Sequence, residues 1–518
     1  MDKIFTAEIT EMNLMGNGIV KIDGCVVFVL GAVDGDTVTA EIIEEKKNYK
    51  TARIISVVRP SPHRTSPDCP VYSQCGGCSL RHIDYSHEAE IKRLGVESAL
   101  RRGGLGEIPV SEILTAAPDR YRNKAVFRFN GEGFGFSCEK SDDIVSTEDC
   151  LICPEVFSSI AEFTADFFKD TPPSYLYLRK SSLGEISCVV GRKKDEPLNL
   201  SVFADKVMKK FPSVVGVLTK TGAHPENRED AQLIAGRETI NEYFLGMKLS
   251  VSPDSFFQVN HAAAEALCRK VCEFAAPTGN EYGIDMYCGT GIIGLSVAAL
   301  CPGAFVTGVE INPAAIENAK ANAQANSLTN IGFFCSDSAE FAKQIYGSAD
   351  FITIDPPRAG CSELMIKQLL RLKPSRLVYV SCDPSSLARD LKKLTEKKYS
   401  VEKVCAVDLF PRTKHVETVV LLSKGEVDSK KIRVEFSLED MDMSEFQDGA
   451  TYPQIKEYVL EHTGLKVSNL YISQIKRKCG IEVGKNYNMP KSEDSRQPQC
   501  PPEKEKAIRE AFKYFGMI

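Results

Sequence analysis

One stretch decides the fold: residues 282–294 read YGIDMYCGTGIIG. An apolar run typical of a buried strand leads into a G-x-G-x-x-G turn, after which a helical pattern begins. Such a turn favours a cofactor bound at a helix N-terminus, and Glu310 follows about twenty residues later, where a carboxylate receives ribose hydroxyls. Helices and strands alternate from residue 261 onward, so we predict a Rossmann-like, doubly wound α/β domain over residues 246–424, with its ligand at the carboxyl ends of the strands.

Two further strands of this sheet end in reactive side chains. Asp355 lies in the segment IDPPRAG (354–360), and Cys382 follows the apolar run RLVYVS. A cysteine at the end of a buried strand is more often a small core residue, but Cys382 stands at the ligand edge of the sheet. Glu417 opens a later apolar strand, either as a solvated strand start or as a general base above the cofactor site.

The acidic strand ends also distinguish between cofactors. The glycine turn alone fits both nicotinamide dinucleotides and S-adenosylmethionine (SAM). Asp337 and Asp355 add carboxylates after the third and fourth strands, and an acidic pocket suits a cationic sulfonium better than a pyrophosphate. We therefore expect SAM, and a nicotinamide-dependent oxidoreductase is the alternative.

Three of the 18 cysteines have a specific spacing: Cys69, Cys75 and Cys78 form C-x5-C-x2-C. In a long chain whose N-terminus lacks a signal-peptide pattern, such cysteines indicate a metal centre rather than disulfides. A fourth ligand must come from elsewhere, and Cys150 is preferred to Cys153. Structural zinc sites favour two C-x2-C pairs, and this segment contains only one, so its spacing favours an iron–sulfur cluster over zinc.

The remaining regions are predicted from pattern alone. Residues 1–58 alternate apolar and polar positions between glycine turns, which predicts a five-stranded OB-like β-barrel. Six basic residues and no acidic one lie between Lys46 and Arg64, which fits either RNA contacts or a solvated edge strand. The pattern of residues 59–245 predicts a mixed α/β region that contains the cysteine site. The pattern of residues 430–518 predicts a small helical extension. It is either an RNA-docking module or a self-contained helical domain.

Length and hydropathy limit the class of protein. A chain of 518 residues is expected to fold as several domains, here a multidomain α/β protein. No run of eighteen apolar residues occurs, so we expect a cytoplasmic protein without a membrane segment. No obligate protein partner is evident from the sequence, and we expect a monomer.

Four segments together resemble the RNA (uracil-5-)-methyltransferase family, in particular its 23S ribosomal RNA branch. They are CGTG (288–291), IDPPRAG (354–360), YVSCDP (379–384) and FPRTKHVETV (410–419). The resemblance extends over residues 1 to 423. It implies a TRAM domain at residues 1–58 and transfer of a methyl group from SAM to carbon 5 of a uridine in 23S ribosomal RNA. The alternatives are a transfer RNA methylase and a non-catalytic RNA-binding protein.

The resemblance also implies roles for individual residues. Cys382 is the nucleophile that adds to carbon 6 of uracil, and Glu417 is the proton acceptor. The ligands of a 4Fe-4S cluster fall on Cys69, Cys75, Cys78 and Cys150. The SAM contacts fall on Gln258, Tyr287, Glu310, Asp337 and Asp355. A target uridine has to leave its stack to reach the thiol, and we expect it to contact Phe256.

Overall fold

The computed structural model describes residues 3–131, 133–139, 141–194, 197–222, 231–345, 347–424, 452–481, 500–515 and 517. The chain divides into two compact units, Met1–Val427 and Asp428–Ile518. Four β-sheets lie in the first unit, and the described elements of the second unit are helices. This mixed α/β, multidomain architecture agrees with the predicted fold class. Within the described residues, no helix combines the length and apolar character of a membrane span.

The first sheet is formed by the N-terminal region. Its strands are β1 Ile4–Glu8, β2 Glu11–Met12, β3 Asn17–Ile22, β4 Cys25–Leu30, β5 Thr37–Glu45 and β6 Tyr49–Arg59, in the order β1-β5-β6-β4-β3-β2. Alternate residues point inward, and Val27, Val29 and Val38 are fully buried in its core. The prediction of five strands is therefore wrong by one, because β2 has only two residues and such a short strand shows no alternation.

A second sheet carries the cysteine region. Helix α1 Tyr85–Leu100, a π-helical segment Arg101–Leu105 and strand β7 Ile113–Leu114 precede it. Its strands are β8 Lys124–Phe129, β9 Phe134–Ser137, β10 Ile144–Ser146, β11 Tyr175–Lys180, β12 Ile186–Arg192, β13 Val214–Thr221 and β14 Gln232–Gly236, in the order β10-β9-β8-β11-β12-β13-β14. Helices α2 Glu155–Phe167 and α3 Leu200–Lys210 share an apolar core with this sheet.

The largest sheet has eight strands in the order β19-β18-β17-β20-β21-β23-β22-β7. The hairpin of β15 Ile240–Phe244 and β16 Met247–Val251 and helix α4 His261–Ala275 come before it. Its strands are β17 Tyr282–Met286, β18 Phe305–Glu310, β19 Ile331–Cys335, β20 Phe351–Ile354, β21 Arg376–Ser381, β22 Tyr399–Val407 and β23 Glu417–Lys424, with β7 at the edge. Strands β17 to β21 are parallel, and β23 runs antiparallel between β21 and β22.

Helices cover both faces of this sheet. They are α5 Ile292–Leu300, α6 Pro313–Ala325, α7 Ser338–Gln344, α8 Glu363–Leu372 and α9 Pro384–Thr395. Helices α4, α5 and α6 contribute to one apolar cluster, whereas α1, α7, α8 and α9 contribute to another on the opposite face. This arrangement is the doubly wound pattern that the alternation of strands and helices predicts, and it leaves the carboxyl ends of the parallel strands at one edge.

The second unit contains three described helices: α10 Tyr452–Thr463, α11 Asn469–Lys478 and α12 Pro502–Tyr514. Buried residues such as Ile455, Ile472 and Phe512 form their common core. Lys476 in α11 is buried, and Lys478 forms an ion pair of 2.6 Å with Glu505. The sequence between Pro490 and Pro502 predicts a loop, and most of that segment lies outside the described residues.

Candidate active site and cysteine cavity

The carboxyl edge of the eight-stranded sheet collects three reactive side chains. Asp355 directly follows β20, and Cys382 directly follows β21. Strand β23 pairs with β21 so that Thr418 stands opposite Ser381. Glu417, the first residue of β23, is therefore placed next to Cys382 by the register of the two strands. Three neighbouring strands thus bring the predicted nucleophile, the predicted base and a carboxylate to one place.

These groups influence one another electrostatically. Glu417 is only 6% exposed, and burial together with Asp355 raises its pKa to about 8, against a lowering effect of Arg358. Burial and Asp285 raise the pKa of Asp355 to about 7. Burial, Glu417 and Asp355 raise the pKa of Cys382 to about 11, and Arg358 again opposes the shift. A positively charged ligand at this edge would favour the ionised form of all three groups.

The glycine turn lies beside this edge and depends on its glycines for different reasons. Gly289 and Gly291 have φ angles of +55° and +81°, which glycine adopts without strain. A Cβ at Gly291 would lie 2.8 Å from the Phe333 ring, whereas a Cβ at Gly289 would meet no atom within 4 Å. Glu310 accepts hydrogen bonds from the backbone N–H of Gly289 (3.2 Å) and Asn312 (2.9 Å). Gly289 therefore borders open space next to a carboxylate.

A loop before α4 is attached to the same turn. The Thr290 hydroxyl donates to the carbonyl of Phe256 at 3.0 Å. The Phe256 side chain is 65% exposed, and Gln258 is half-buried, with its carbonyl accepting from the side-chain amide of Asn123 at 3.1 Å. The structure thus brings Phe256 and Gln258 close to the glycine turn, although they are distant from it in sequence.

Tyr287 and Asp337 face each other across the start of α7. Tyr287 has a φ of +60°, and its N–H donates to the Ser338 hydroxyl at 3.1 Å. Asp337 caps α7, because its Oδ1 accepts from the backbone N–H of Ala339 (2.9 Å) and Glu340 (3.0 Å). The sequence predicts Asp337 only as a cofactor contact and does not predict α7, so this capping role is a finding of the structure.

The segment that leads into Glu417 is held by a buried ionic network that the sequence does not predict. Lys92 of α1 donates to Glu88 Oε1 and to Asp408 Oδ1, both at 2.8 Å, and all three side chains are fully buried. Lys92 also donates to the carbonyl of Phe410 at 3.2 Å. The Glu88–Lys92 pair has visible i,i+4 spacing, but Asp408 is 316 residues away from Lys92 and only the fold brings them together.

Five cysteines line one cavity of about 230 Å³: Cys69, Cys75, Cys78, Cys150 and Cys153. The predicted three-cysteine segment and both candidates for a fourth ligand are therefore brought together. Among the residues that the structure describes, no three His, Cys, Asp or Glu side chains form a group that could hold a single metal ion.

The thiols of the cavity differ in acidity. Burial, with a contribution from Cys150, raises the pKa of Cys78 to about 12. The Cys153 thiol hydrogen-bonds to Cys150, which lowers the pKa of Cys150 and raises that of Cys153. Cys150 is therefore the member of this pair that ionises more readily, and Cys153 is only 1% exposed.

The cysteine region touches the segment that precedes Glu417. The backbone N–H groups of Ser79 and Leu80, which directly follow the cysteine segment, donate to the carbonyl of Arg412 at 2.8 and 3.1 Å. The Tyr121 hydroxyl donates to the carbonyl of Pro411 at 2.9 Å. Arg412 has a φ of +67°, a left-handed conformation that these contacts maintain.

The basic run of the N-terminal sheet is largely paired. Cross-strand and neighbouring acidic residues bind five of its six basic side chains: Lys46–Glu44, Lys50–Glu45, Arg53–Glu41, Arg59–Glu8 and Arg64–Asp36. The sequence of the basic run does not predict this pairing, because the acidic partners lie outside the run. The four exposed pairs contribute little to stability, whereas the carboxylate of the Arg64–Asp36 pair is fully buried.

Comparisons with known proteins agree with this geometry. The family described as tRNA (Uracil-5-)-methyltransferase matches residues 239–425. An uncharacterized RNA methyltransferase of Clostridium tetani is 33% identical over 440 residues, which cover 80% of this chain and 95% of that protein. An uncharacterized RNA methyltransferase of Bacillus cereus is 35% identical over 436 residues, which cover 79% and 94% of the two chains.

A solved structure is similar over most of the chain. It is the Pyrococcus abyssi tRNA (uracil-54, C5)-methyltransferase in complex with S-adenosyl-L-homocysteine. The alignment has a TM-score of 0.66 and 26% sequence identity, and it covers 81% of this chain and 100% of that chain. The two proteins therefore share their architecture over that length.

Proposed function

The chain belongs to the RNA (uracil-5-)-methyltransferase family and is a SAM-dependent RNA methyltransferase, and we propose that it methylates carbon 5 of a uridine in 23S ribosomal RNA through a covalent adduct of Cys382. The observation that carries this proposal is the grouping of Cys382, Glu417 and Asp355 at the ends of three adjacent strands. Membership of this family decides against the two alternatives from other classes, a nicotinamide-dependent oxidoreductase and a non-catalytic RNA-binding protein.

The residues around the glycine turn fit SAM. Gly289 leaves open space beside Glu310, whose carboxylate suits ribose hydroxyls. When bound, SAM supplies an electrophilic methyl group on a positively charged sulfur, and the acidic edge formed by Asp355 and Glu417 suits that charge. We assign the cofactor contacts to Gln258, Tyr287, Glu310, Asp337 and Asp355.

Cys382 provides the activation that uracil needs. Carbon 5 of uracil is a weak nucleophile, and addition of the Cys382 thiolate to carbon 6 converts the ring into an enolate that is nucleophilic at carbon 5. Transfer of the methyl group to carbon 5 would break its bond to the sulfur of SAM, release S-adenosyl-L-homocysteine and leave one surplus proton on carbon 5. The thiol is mostly protonated at neutral pH, since its pKa is raised to about 11. A nearby cation favours the thiolate and so promotes this first step.

Glu417 completes the reaction. It removes the surplus proton from carbon 5, the bond between sulfur and carbon 6 breaks, and the Cys382 thiolate departs. With its pKa raised to about 8, Glu417 holds a proton more firmly than an ordinary carboxylate does, as a general base near neutral pH requires. The contacts of Lys92 with Asp408 and Phe410 fix the chain segment that carries this base.

Phe256 offers a surface for the target base. A uridine stacked in RNA cannot reach Cys382, so it has to be flipped out. The exposed ring of Phe256, attached to the glycine turn through Thr290, is suited to stacking on the flipped base. Phe256→Ala should raise KM for RNA, with KM for SAM less affected, whereas Phe256→Tyr should retain the stacking contact. Unchanged KM for RNA in the alanine variant would remove Phe256 from this role.

The cysteine cavity supports the ribosomal branch of the family. Cysteine thiolates are the ligands that a 4Fe-4S cluster takes, and the presence of five cysteines around one cavity supports such a site. We assign the ligands to Cys69, Cys75, Cys78 and Cys150, all of which line the cavity. The contacts of Ser79 and Leu80 with Arg412 suggest a structural role that orders the catalytic segment.

A transfer RNA substrate is the second candidate, favoured by the similarity to the Pyrococcus abyssi enzyme. Purified protein should be incubated with SAM carrying a labelled methyl group and with 23S ribosomal RNA or transfer RNA, each lacking 5-methyluridine. We expect label in 5-methyluridine of the ribosomal RNA. Label in transfer RNA alone would replace the ribosomal assignment without affecting the chemistry.

We propose that the second compact unit is an RNA-docking module. The family match ends at residue 425, before this unit begins. Arg477 and Lys506 are exposed on it, and Tyr514 is 67% exposed, so charge and a stacking surface are both present. Arg477→Glu with Lys506→Glu should weaken RNA binding several-fold and leave SAM binding unchanged. An equal loss in the matched variant Lys397→Glu, on the first unit, would show that the effect is not specific.

A further inference from the structure

A sixth cysteine, Cys138, lies beside the cavity, and neither the motif spacing nor the family resemblance gives it a role. It directly follows β9 and forms an isolated antiparallel bridge with Cys75, a proposed cluster ligand. The two residues are 63 positions apart in sequence, so their spacing gives no indication of the contact. Both side chains are half-buried, which leaves them within reach of a small solute.

Backbone hydrogen bonds define how the two cysteines face each other. The N–H of Gly76 donates to the carbonyl of Ser137 at 3.0 Å, and the N–H of Glu139 donates to the carbonyl of Gln74 at 3.3 Å. These bonds flank the cysteine pair on either side, so Cys75 and Cys138 form a non-hydrogen-bonded pair. In that kind of antiparallel pair the Cα atoms are about 4.5 Å apart and the side chains are closest.

This geometry suits a disulfide. Disulfides need Cα atoms within roughly 4.4 to 6.8 Å and side chains directed toward each other, as directly opposed residues on one face of a pair are. A Cβ at Gly76 would lie 3.0 Å from the Glu139 Cα, which shows how tightly the two backbones are packed here.

We propose that Cys75 and Cys138 form a redox-active pair that small disulfides such as oxidised glutathione convert into a cross-strand disulfide. One thiolate of the pair attacks the glutathione disulfide and releases one glutathione thiolate. The second thiolate attacks the resulting mixed disulfide and releases the other. The protein loses two protons and two electrons, and the electrons reduce oxidised glutathione to two thiols.

Formation of this bond removes Cys75 from the cavity. A sulfur in a disulfide is not a thiolate and does not serve as a cluster ligand. The disulfide and a fully ligated 4Fe-4S cluster therefore exclude each other, so the redox state of the pair controls loading of the site. This consequence rests on the proposed function, whereas formation of the disulfide does not.

The disulfide is tested on the full-length protein, reduced and freed of iron. After treatment with oxidised glutathione without oxygen, free thiols are alkylated and the protein is digested for mass spectrometry. We expect a linked peptide pair containing Cys75 and Cys138 that dithiothreitol separates. Cys138→Ser should abolish it, and Cys335→Ser, at an exposed cysteine, should not. Pairing of Cys75 with another cysteine, or glutathione adducts alone, would overturn the proposal.

Iron loading tests the consequence separately. Oxidised and reduced proteins are incubated with ferrous iron and sulfide without added thiol, and bound iron and visible absorbance are measured. We expect oxidised wild-type protein to bind several-fold less iron than reduced protein, and Cys138→Ser to bind equal amounts after either treatment. Full loading of protein that carries the disulfide would refute the exclusion. If the disulfide forms but reduced protein binds no iron, the disulfide stands and the proposed cluster fails.

Discussion

The sheet edge and the cysteine cavity both collect reactive side chains, but they are built differently. At the edge, Asp355, Cys382 and Glu417 follow or open neighbouring strands, and backbone register alone places them together. In the cavity, cysteines come from two separate segments, residues 69–78 and residues 150–153, and meet through loop contacts. Changes at the edge should therefore act on the chemistry directly, whereas changes in the cavity should alter order and metal loading before they alter chemistry.

The largest effect is expected at the edge. Cys382→Ala removes the proposed nucleophile, so methyl transfer should fall on the order of 10⁴-fold or more. Transfer of labelled methyl groups to RNA measures the loss, and SAM binding should persist. Cys335→Ser, at an exposed cysteine, is the matched control and should retain activity. Substantial methylation by Cys382→Ala would contradict the contrast between the two regions.

Glu417→Gln should have the next largest effect. Without the proposed proton acceptor, the surplus proton stays on carbon 5 and the methylated adduct does not release Cys382. Turnover should therefore fall by roughly 10²- to 10⁴-fold. The same variant should accumulate a protein–RNA conjugate that denaturing electrophoresis detects. Glu317→Gln, at an exposed helix position, should behave as wild type. Loss of activity without any conjugate would show that Glu417 is needed to form the adduct rather than to resolve it.

Lys92→Met tests how far the edge depends on the region that carries the cysteines. It leaves the buried carboxylates of Glu88 and Asp408 without a cation, which should cost about 3 to 5 kcal/mol of unfolding free energy. Displacement of the segment before Glu417 should also lower kcat, with KM for SAM little changed. Lys320→Met removes an exposed ion pair with Glu317 and should shift stability by less than about 1 kcal/mol. Equal effects of the two variants in denaturant titrations would refute the network's role.

The sequence predicts the edge well for a physical reason. Parallel strands place their carboxyl ends together, so apolar runs that end in Asp355 and Cys382 are sufficient to predict a shared site. Helix α6 Pro313–Ala325 and strand β19 Ile331–Cys335 belong to the predicted alternation of helices and strands, since both are long and regular enough to show a period. Short elements such as β7 and α7 carry no such signal.

Contacts between distant segments are what the sequence does not predict. Spacing identifies Cys69, Cys75 and Cys78 as a set but is silent about Cys138, whose position depends on how β9 returns to the cysteine segment. The pairing of Lys92 with Asp408 is equally non-local. The assignment of Cys150 over Cys153 as a cluster ligand stays a prediction.

Glu417 also links the edge to pH-dependent stability. Its pKa rises from 4.5 to about 8 on folding, so between these values the folded protein holds a proton that the unfolded chain has released. The contribution of Glu417 to the free energy of unfolding is fully present below pH 4.5 and is lost as the pH rises toward 8. Glu417→Gln should thus gain on the order of 1 to 4 kcal/mol over wild type between pH 5 and pH 8 in denaturant titrations. A difference that is constant with pH would contradict the raised pKa.

The smallest effect on chemistry is expected in the cavity. Cys150→Ser should lower iron bound after reconstitution by several-fold, whereas Cys153→Ser should lower it less, because Cys153 acts through its hydrogen bond to Cys150. Methyl transfer by both variants should stay within about tenfold of wild type, since neither residue lies at the sheet edge. If Cys153→Ser loses more bound iron than Cys150→Ser, Cys153 rather than Cys150 is the cluster ligand.

The most direct test of covalent catalysis is trapping with RNA that carries 5-fluorouridine at the target position. Fluorine takes the place of the proton that we propose Glu417 removes, so the adduct should persist after methylation. We predict a conjugate that survives denaturation, forms only with SAM present, and maps to Cys382 by mass spectrometry of the linked peptide. If RNA of the methylated sequence forms no conjugate, or forms it through another side chain, the proposed role of Cys382 is wrong.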